Sequence, residues 1–233
     1  MASSRIYQFY SELNDFEPKI WRRFHVPENI TMARLGFIVM TMYEMMGNHL
    51  MNITVPVTYP AHLRSAADPK YISLDFTQMD DYEDFSDPST RVEEITTAKM
   101  RHYAGDIGQE VTVNYDFGDG WEVLLKLETI FEDKELPGKE LPRVIDGAGW
   151  GIVEDCGGTG GLEDLVKAFK RKKGPEYRSL REWLGKDDFD ISAFDIDDIN
   201  FRLKKLPRVY TDLYEYGIPP TGRSIAIIER RYK

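Results

Sequence analysis

The chain has 233 residues, 42% hydrophobic and 12% aromatic, which is enough for a sizeable core in one large domain, or one domain with an extension, and excludes a disordered chain. Its 40 acidic and 30 basic residues give a net charge of −10, which disfavours DNA as a partner because nucleic-acid binding rests on phosphate neutralisation by Lys and Arg; only a local basic patch would bring it back. No apolar run approaches the ~20 residues of a membrane helix, Met1-Ala2-Ser3-Ser4-Arg5 lacks a signal-peptide layout, and the single cysteine, Cys156, excludes an internal disulfide, so a cytoplasmic protein with no membrane association is expected.

Residues 6–13 and 20–26 read as two strands linked through Pro18, with Tyr7, Phe9 and Leu13 on one face of the first and Pro27 ending the second. In the second strand Arg22 and Arg23 must face opposite sides, so one of them is expected to pair with an acid. Helical spacing follows over 31–46 through Leu35, Ile38, Met42 and Met45, with Thr31 as N-cap and Gly47 as the residue beyond the C-terminus. Residues 49–59 and 71–76 read as further strands, and 80–100 as an acidic loop ending in a short helix.

The clearest local signal is a β-hairpin. Val111, Val113, Tyr115 and Phe117 alternate with polar residues, as do Trp121, Val123, Leu125 and Leu127, and Gly118-Asp119-Gly120 joins the two runs. The glycines are expected to supply the positive φ angles of the return. From residue 161 the period becomes helical. One helix carries Leu162, Leu165, Val166 and Phe169, with Glu163 and Asp164 in its first turn, Lys170 to Lys173 in its last, and Gly174-Pro175 as its stop. A second carries Tyr177, Leu180, Trp183 and Leu184, ended by Gly185. A third carries Ile196, Ile199 and Leu203. Two apolar pieces, 208–216 and 224–229, lie between Pro and Gly residues. The expectation is an α+β fold with a mostly antiparallel sheet, a domain over 1–206, and an extension over 207–233 that packs back on it.

Four segments carry a resemblance, in order: Pro18-Lys19-Ile20-Trp21-Arg22-Arg23; His49-Leu50 after the methionine-rich helix; Tyr115-Asp116-Phe117-Gly118-Asp119-Gly120-Trp121-Glu122; and Glu154-Asp155-Cys156-Gly157-Gly158. The chain resembles the plasmid pRiA ORF-three-like family, also catalogued with transposon passenger proteins of the TnpR type, over about residues 5–205. The resemblance implies an α+β domain and a link to mobile elements, without a settled chemistry. Relatives often carry His-Leu-His and Trp-Glu-His where this chain has His49-Leu50-Met51 and Trp121-Glu122-Val123. Some also place a cysteine before the Glu-Asp-Cys string, where this chain has Trp150-Gly151-Ile152-Val153. A metal site built on those groups would be depleted here.

The candidate functional cluster is therefore His49, Asp116, Asp119, Trp121, Glu122, Glu154, Asp155 and Cys156, with no metal or cofactor assigned. Zinc favours three or four His and Cys ligands, and one of each remains; a carboxylate site for a hard cation is less constrained. Asp116 and Asp119 also read as turn residues bonding their own backbone. The glycine run Cys156 to Gly161 lacks the Lys-Ser/Thr of a phosphate-binding loop, since Leu162-Glu163 follows it, and reads as a tight corner. Asp188, Asp190 and Ser192 fail as a calcium loop because Ala193 and Ile199 stand where Gly and Glu are needed. Acidic neighbours would raise the Cys156 thiol pKa, against nucleophilic use. No histidine has an Arg three residues on, and Ser11 lies between Tyr10 and Glu12, so neither recombinase chemistry is written in the chain.

Two main function classes follow, with DNA binding through the basic patches Lys170 to Lys173 and Arg230-Arg231 as a third. One is a non-enzymatic accessory or binding module linked to mobile elements. It is favoured by the incomplete catalytic sets, and the aromatic-acidic stretch Asp80 to Asp87 is its candidate surface for a protein partner. The alternative is a metal-assisted hydrolase or nucleic-acid-processing enzyme using the carboxylates, with His49 as a further candidate ligand. The two separate on whether the hairpin turn, the 154–158 loop and His49 converge in space.

Overall fold

The computed structural model describes residues 5–57, 68–79, 88–136 and 138–232. The reading of Met1 to Ser4 and the acidic stretch Asp80 to Asp87 lie outside them, as do the last residues of the strand expected over 49–59. The fold is α+β: an eight-stranded sheet in the order β5-β4-β3-β6-β7-β1-β2-β8, antiparallel at every pairing except β4 with β5. The strands are β1 (Ile6–Leu13), β2 (Trp21–Pro27), β3 (Met51–Pro56), β4 (Tyr71–Asp75), β5 (Thr90–Glu94), β6 (Glu110–Tyr115), β7 (Trp121–Phe131) and β8 (Arg143–Ala148). The helices are α1 (Met32–Met42), α2 (Met100–Tyr103), α3 (Gly158–Arg171), α4 (Pro175–Leu184), α5 (Ile196–Leu203), α6 (Leu206–Tyr216) and α7 (Gly222–Ile228).

The hydrophobic alternation of the strands builds one buried face from Phe9, Phe24, Val111, Val113, Val123, Leu125 and Leu127. Against the core lies α1, which is apolar except at Arg34 and Thr41 and buried at ten of its positions; it packs on β3, α5 and α6. Each fully buried Leu, Ile, Met or Phe of this layer contributes about 1.5–3 kcal/mol relative to exposure. Phe37 of α1 lies against Phe76 and Tyr214, and Tyr214 stacks on Phe76 with centroids 5.2 Å apart. On the other face of the sheet Arg23 grips Glu128 through two hydrogen bonds of 2.7 and 2.9 Å. Its neighbour Arg22 points inward and is fully buried, as strand alternation requires. Arg22 lies between the Tyr43 and Phe194 rings and donates to the carbonyls of Met42, Ala148, Gly149 and Trp150. It thereby ties the end of α1 to the segment after β8.

Several boundaries differ from the sequence expectation. Thr31 does cap α1, accepting from the Arg34 amide. The helix nonetheless stops at Met42, because Glu44 turns left-handed at φ 64° to meet the arginines of α5 and the C-terminal segment. Gly47 is therefore not the helix stop; it sits at φ +85°, where a Cβ would lie 2.9 Å from the Tyr210 ring. The segment read as an acidic loop over 80–100 contains β5. The hairpin strand ends at Tyr115, leaving Phe117 58% exposed, and the left-handed positions of the turn are Asp116 and Gly120 rather than both glycines. Asp tolerates that region because its short side chain bonds locally to the backbone. Gly158 to Gly161 form the first turn of α3, so the glycine run is largely helix and Glu163 and Asp164 sit in the second turn. The two C-terminal apolar pieces are helices, α6 and α7.

Candidate functional site

Three segments converge at one end of the β3–β6–β7 region: residues 43–50 after α1, residues 115–120 at the hairpin turn, and residues 149–158 between β8 and α3. The first and third run alongside each other, with the Ile152 amide donating to the Tyr43 carbonyl at 2.9 Å. Gly151 lies so close to that carbonyl that a Cβ would come within 2.6 Å of it. The second joins the first through the Asp116 amide and the Leu50 carbonyl at 3.0 Å. It joins the third through the Gly157 amide and Asp119 Oδ2 at 3.2 Å.

Glu154 is the internal pin of this junction. Its side chain is 1% exposed. Oε1 accepts from the Met46 amide and the Tyr115 hydroxyl, both at 2.5 Å, and Oε2 accepts from Asn48 Nδ2 at 2.9 Å. Tyr115 in turn accepts the Gly47 and Asn48 amides at 3.1 and 3.2 Å. Burial first, then the charge of Glu154 and the hydrogen bond to it, push the Tyr115 phenol far above its ordinary range, so it remains a donor to the carboxylate.

On this base the His49 ring stands edge-on to Tyr115, with centroids 5.8 Å apart. Its Nε2 faces three carboxylates: Asp155 Oδ1 at 3.4 Å, Asp116 Oδ2 at 3.5 Å and Glu154 Oε2 at 4.0 Å. None of these is a hydrogen bond, and Nε2 is shielded from solvent without a partner. Asp116 divides its work: Oδ1 accepts the Gly118 and Asp119 amides of the turn, while Oδ2 is turned toward His49. Asp155, at φ 59°, is 70% exposed and forms the open side. Among the described residues no lysine or arginine pairs with Asp116, Glu154 or Asp155. Ligand atoms of His49, Asp116 and Asp155 all lie within 4.8 Å of one another, a spacing able to surround a cation. One imidazole with two carboxylates suits Mn²⁺, Fe²⁺ or Zn²⁺ better than the all-oxygen preference of Ca²⁺ or Mg²⁺.

The other candidate residues are placed differently. Asp119 braces the junction through Gly157 and packs its carbonyl against Gly158, where a Cβ would lie 2.4 Å from it. Trp121 is fully buried beneath the turn. Glu122 is directed to the opposite side of β7 and bonds Asn14 at 3.1 Å. Cys156 is half-buried with its thiol toward the Gly158 carbonyl, and its pKa is pushed up to about 12 by burial, Asp119 and Asp155. Sequence reasoning missed Asn48, the Tyr115 hydroxyl and Tyr214. Tyr115 was visible only as an apolar strand residue, since alternation reports the face of a side chain and not the partner of its hydroxyl.

The family model described as plasmid pRiA4b ORF-3-like protein matches residues 5–198. Over 86 residues the chain is 33% identical to the uncharacterized protein y4hQ of Sinorhizobium fredii; that stretch is 37% of this chain and 43% of the relative, so less than half of the curated relative's length is spanned. A crystal structure of a protein of unknown function from Methanosarcina mazei Go1 is similar, with a TM-score of 0.66 and 28% identity, covering 84% of this chain and 98% of that one.

Proposed function

The chain belongs to the plasmid pRiA4b ORF-3-like family, and from that premise we propose that it is a mobile-element-associated accessory module whose working part is a divalent-cation site formed by His49, Asp116 and Asp155. The observation that carries this reading is the shielded, unpartnered His49 Nε2 facing carboxylates that, among the described residues, no lysine or arginine neutralises. A cation there would offset the repulsion among the acids and give Nε2 the partner it lacks. Glu154, engaged by three donors, anchors the ligands and is not one of them. The exposed Leu50 and Phe117, which flank His49 and Asp116 in the chain, suit engagement of a further molecule beside the cation.

The test is calorimetric titration of metal-stripped protein with Mn²⁺ and Zn²⁺, alongside thermal unfolding. One equivalent is expected to bind. At a hundredfold excess over Kd, linkage adds about 2.7 kcal/mol, a rise in Tm of about 5–10 °C for a chain of this size. His49→Ala and Asp155→Asn should each abolish the response, and an unresponsive wild type would overturn the reading. The exposure of Asp155 favours a second reading, metal-assisted hydrolysis, because it leaves the cation open to water. That reading requires Mn²⁺-dependent turnover of an activated phosphodiester that His49→Ala removes.

A further inference from the structure

The segment that carries His49 is held from two sides. On one side are Glu154 and Tyr115, within the family-matched residues. On the other is α6, which lies wholly beyond the matched residues 5–198. Tyr210, fully buried, donates its hydroxyl to the Met45 carbonyl at 2.7 Å. Tyr214 donates its hydroxyl to the carbonyl of His49 itself. Gly47, between them, is pressed against the Tyr210 ring so closely that only glycine fits. Glu44, at the start of the segment, is held by Arg202 and Arg230.

The two tyrosines are well built for this task. The Tyr214 ring lies against Phe37 and Phe76, so its hydroxyl is aimed by the core and not by a flexible loop. Tyr210 is fully buried and Tyr214 is buried too, so both hydroxyls hold these backbone acceptors in place of water. A carbonyl fixed at His49 fixes the Cα, and with it the direction in which the imidazole leaves the backbone. Ligand orientation of this kind is a large part of metal affinity.

We propose that Tyr214, supported by Tyr210, is a positioning residue for the cation site: the C-terminal helix α6 sets the angle at which His49 meets Asp116 and Asp155. This rests on the cation reading above, and the experiment separates the two. Full-length Tyr214→Phe keeps the ring packing and removes only the hydroxyl; Tyr210→Phe is the second variant. The control is Tyr103→Phe, which loses a comparable hydroxyl contact to Glu93 on β5. Mn²⁺ affinity is measured by calorimetry, and the His49 ring resonances are recorded without metal, where their place beside Tyr115 makes them sensitive to tilt. The expected result is about tenfold weaker Mn²⁺ binding for Tyr214→Phe, a smaller weakening for Tyr210→Phe, wild-type affinity for Tyr103→Phe, and a moved His49 resonance in the two α6 variants but not in the control. Unchanged affinity in Tyr214→Phe, or equal weakening in the control, overturns the proposal. A wild type that takes up no cation overturns the cation reading and the cation role of α6 together. In that case a moved His49 resonance upholds the positioning of the ring, and an unmoved one removes it.

Discussion

Replacing Glu154 with alanine tests whether this carboxylate is the pin of the junction. The substitution leaves the Met46 amide and the Tyr115 hydroxyl without their acceptor and frees the Asn48 carboxamide. Asn48 can turn to water, but the Tyr115 hydroxyl is buried and the Met46 amide partly so. Hydrogen bonds to a charged group are worth about 1.5–3 kcal/mol each, and a buried donor left unpaired costs about 1–3 kcal/mol. Relief of repulsion with Asp116 and Asp155 offsets part of the loss. The net destabilisation is therefore about 4 kcal/mol, equivalent to a fall in Tm of about 8–16 °C. Glu154→Gln keeps a carbonyl oxygen for Met46 and Tyr115 while losing the charge, and should cost about half as much. Urea unfolding followed by tryptophan fluorescence reads both values, with an unchanged m-value confirming that stability alone has moved. A Glu154→Ala protein within about 1 kcal/mol of wild type, or a glutamine variant as damaged as the alanine, would refute the assignment.

Two further predictions concern titration. The Cys156 thiol, raised to about 12 from an ordinary 9.0 by burial, Asp119 and Asp155, should react with iodoacetamide at pH 8 about a thousandfold more slowly than a free cysteine; a rate within tenfold of the free thiol contradicts that environment. The hydrogen bonds from Arg23 hold the Glu128 carboxyl below its ordinary 4.5. A depressed folded pKa gives stability that is present above 4.5 and lost as pH falls through the folded value. The stability gap between wild type and Glu128→Gln should be widest near neutrality and close toward about pH 3, as read by urea unfolding across a pH series. A gap of constant size would exclude the pair as its source.

The sequence was most legible where a signal is local. The Val111–Tyr115 and Trp121–Leu127 alternation, the Thr31 cap and the opposite facing of Arg22 and Arg23 follow from backbone period alone, and the structure has each of them. It was least legible at the two sheet edges. Thr90–Glu94 is largely polar and Arg143–Ala148 sets Val144 and Ile145 side by side without alternation, because an edge strand pairs on one side only and need not alternate. The end of α1 was also hidden, since it is set by Glu44 reaching Arg202 and Arg230, residues more than 150 positions away.

By itself the sequence determined the fold class, the hairpin and the family strings, because these depend on short-range periodicity and residue order. It named His49, Asp116, Asp119, Glu122, Glu154 and Asp155 as one pool of candidates with no means of sorting them. Tertiary structure did the sorting. The pleat of β7 carries Glu122 to the far side with Asn14, the loop beside Tyr43 buries Glu154 among three donors, and the left-handed turns at Asp116 and Asp155 bring their free oxygens to His49. The physical reason is that a carboxylate's role is fixed by the donors and charges around it, and in this chain those arrive from three segments distant in sequence.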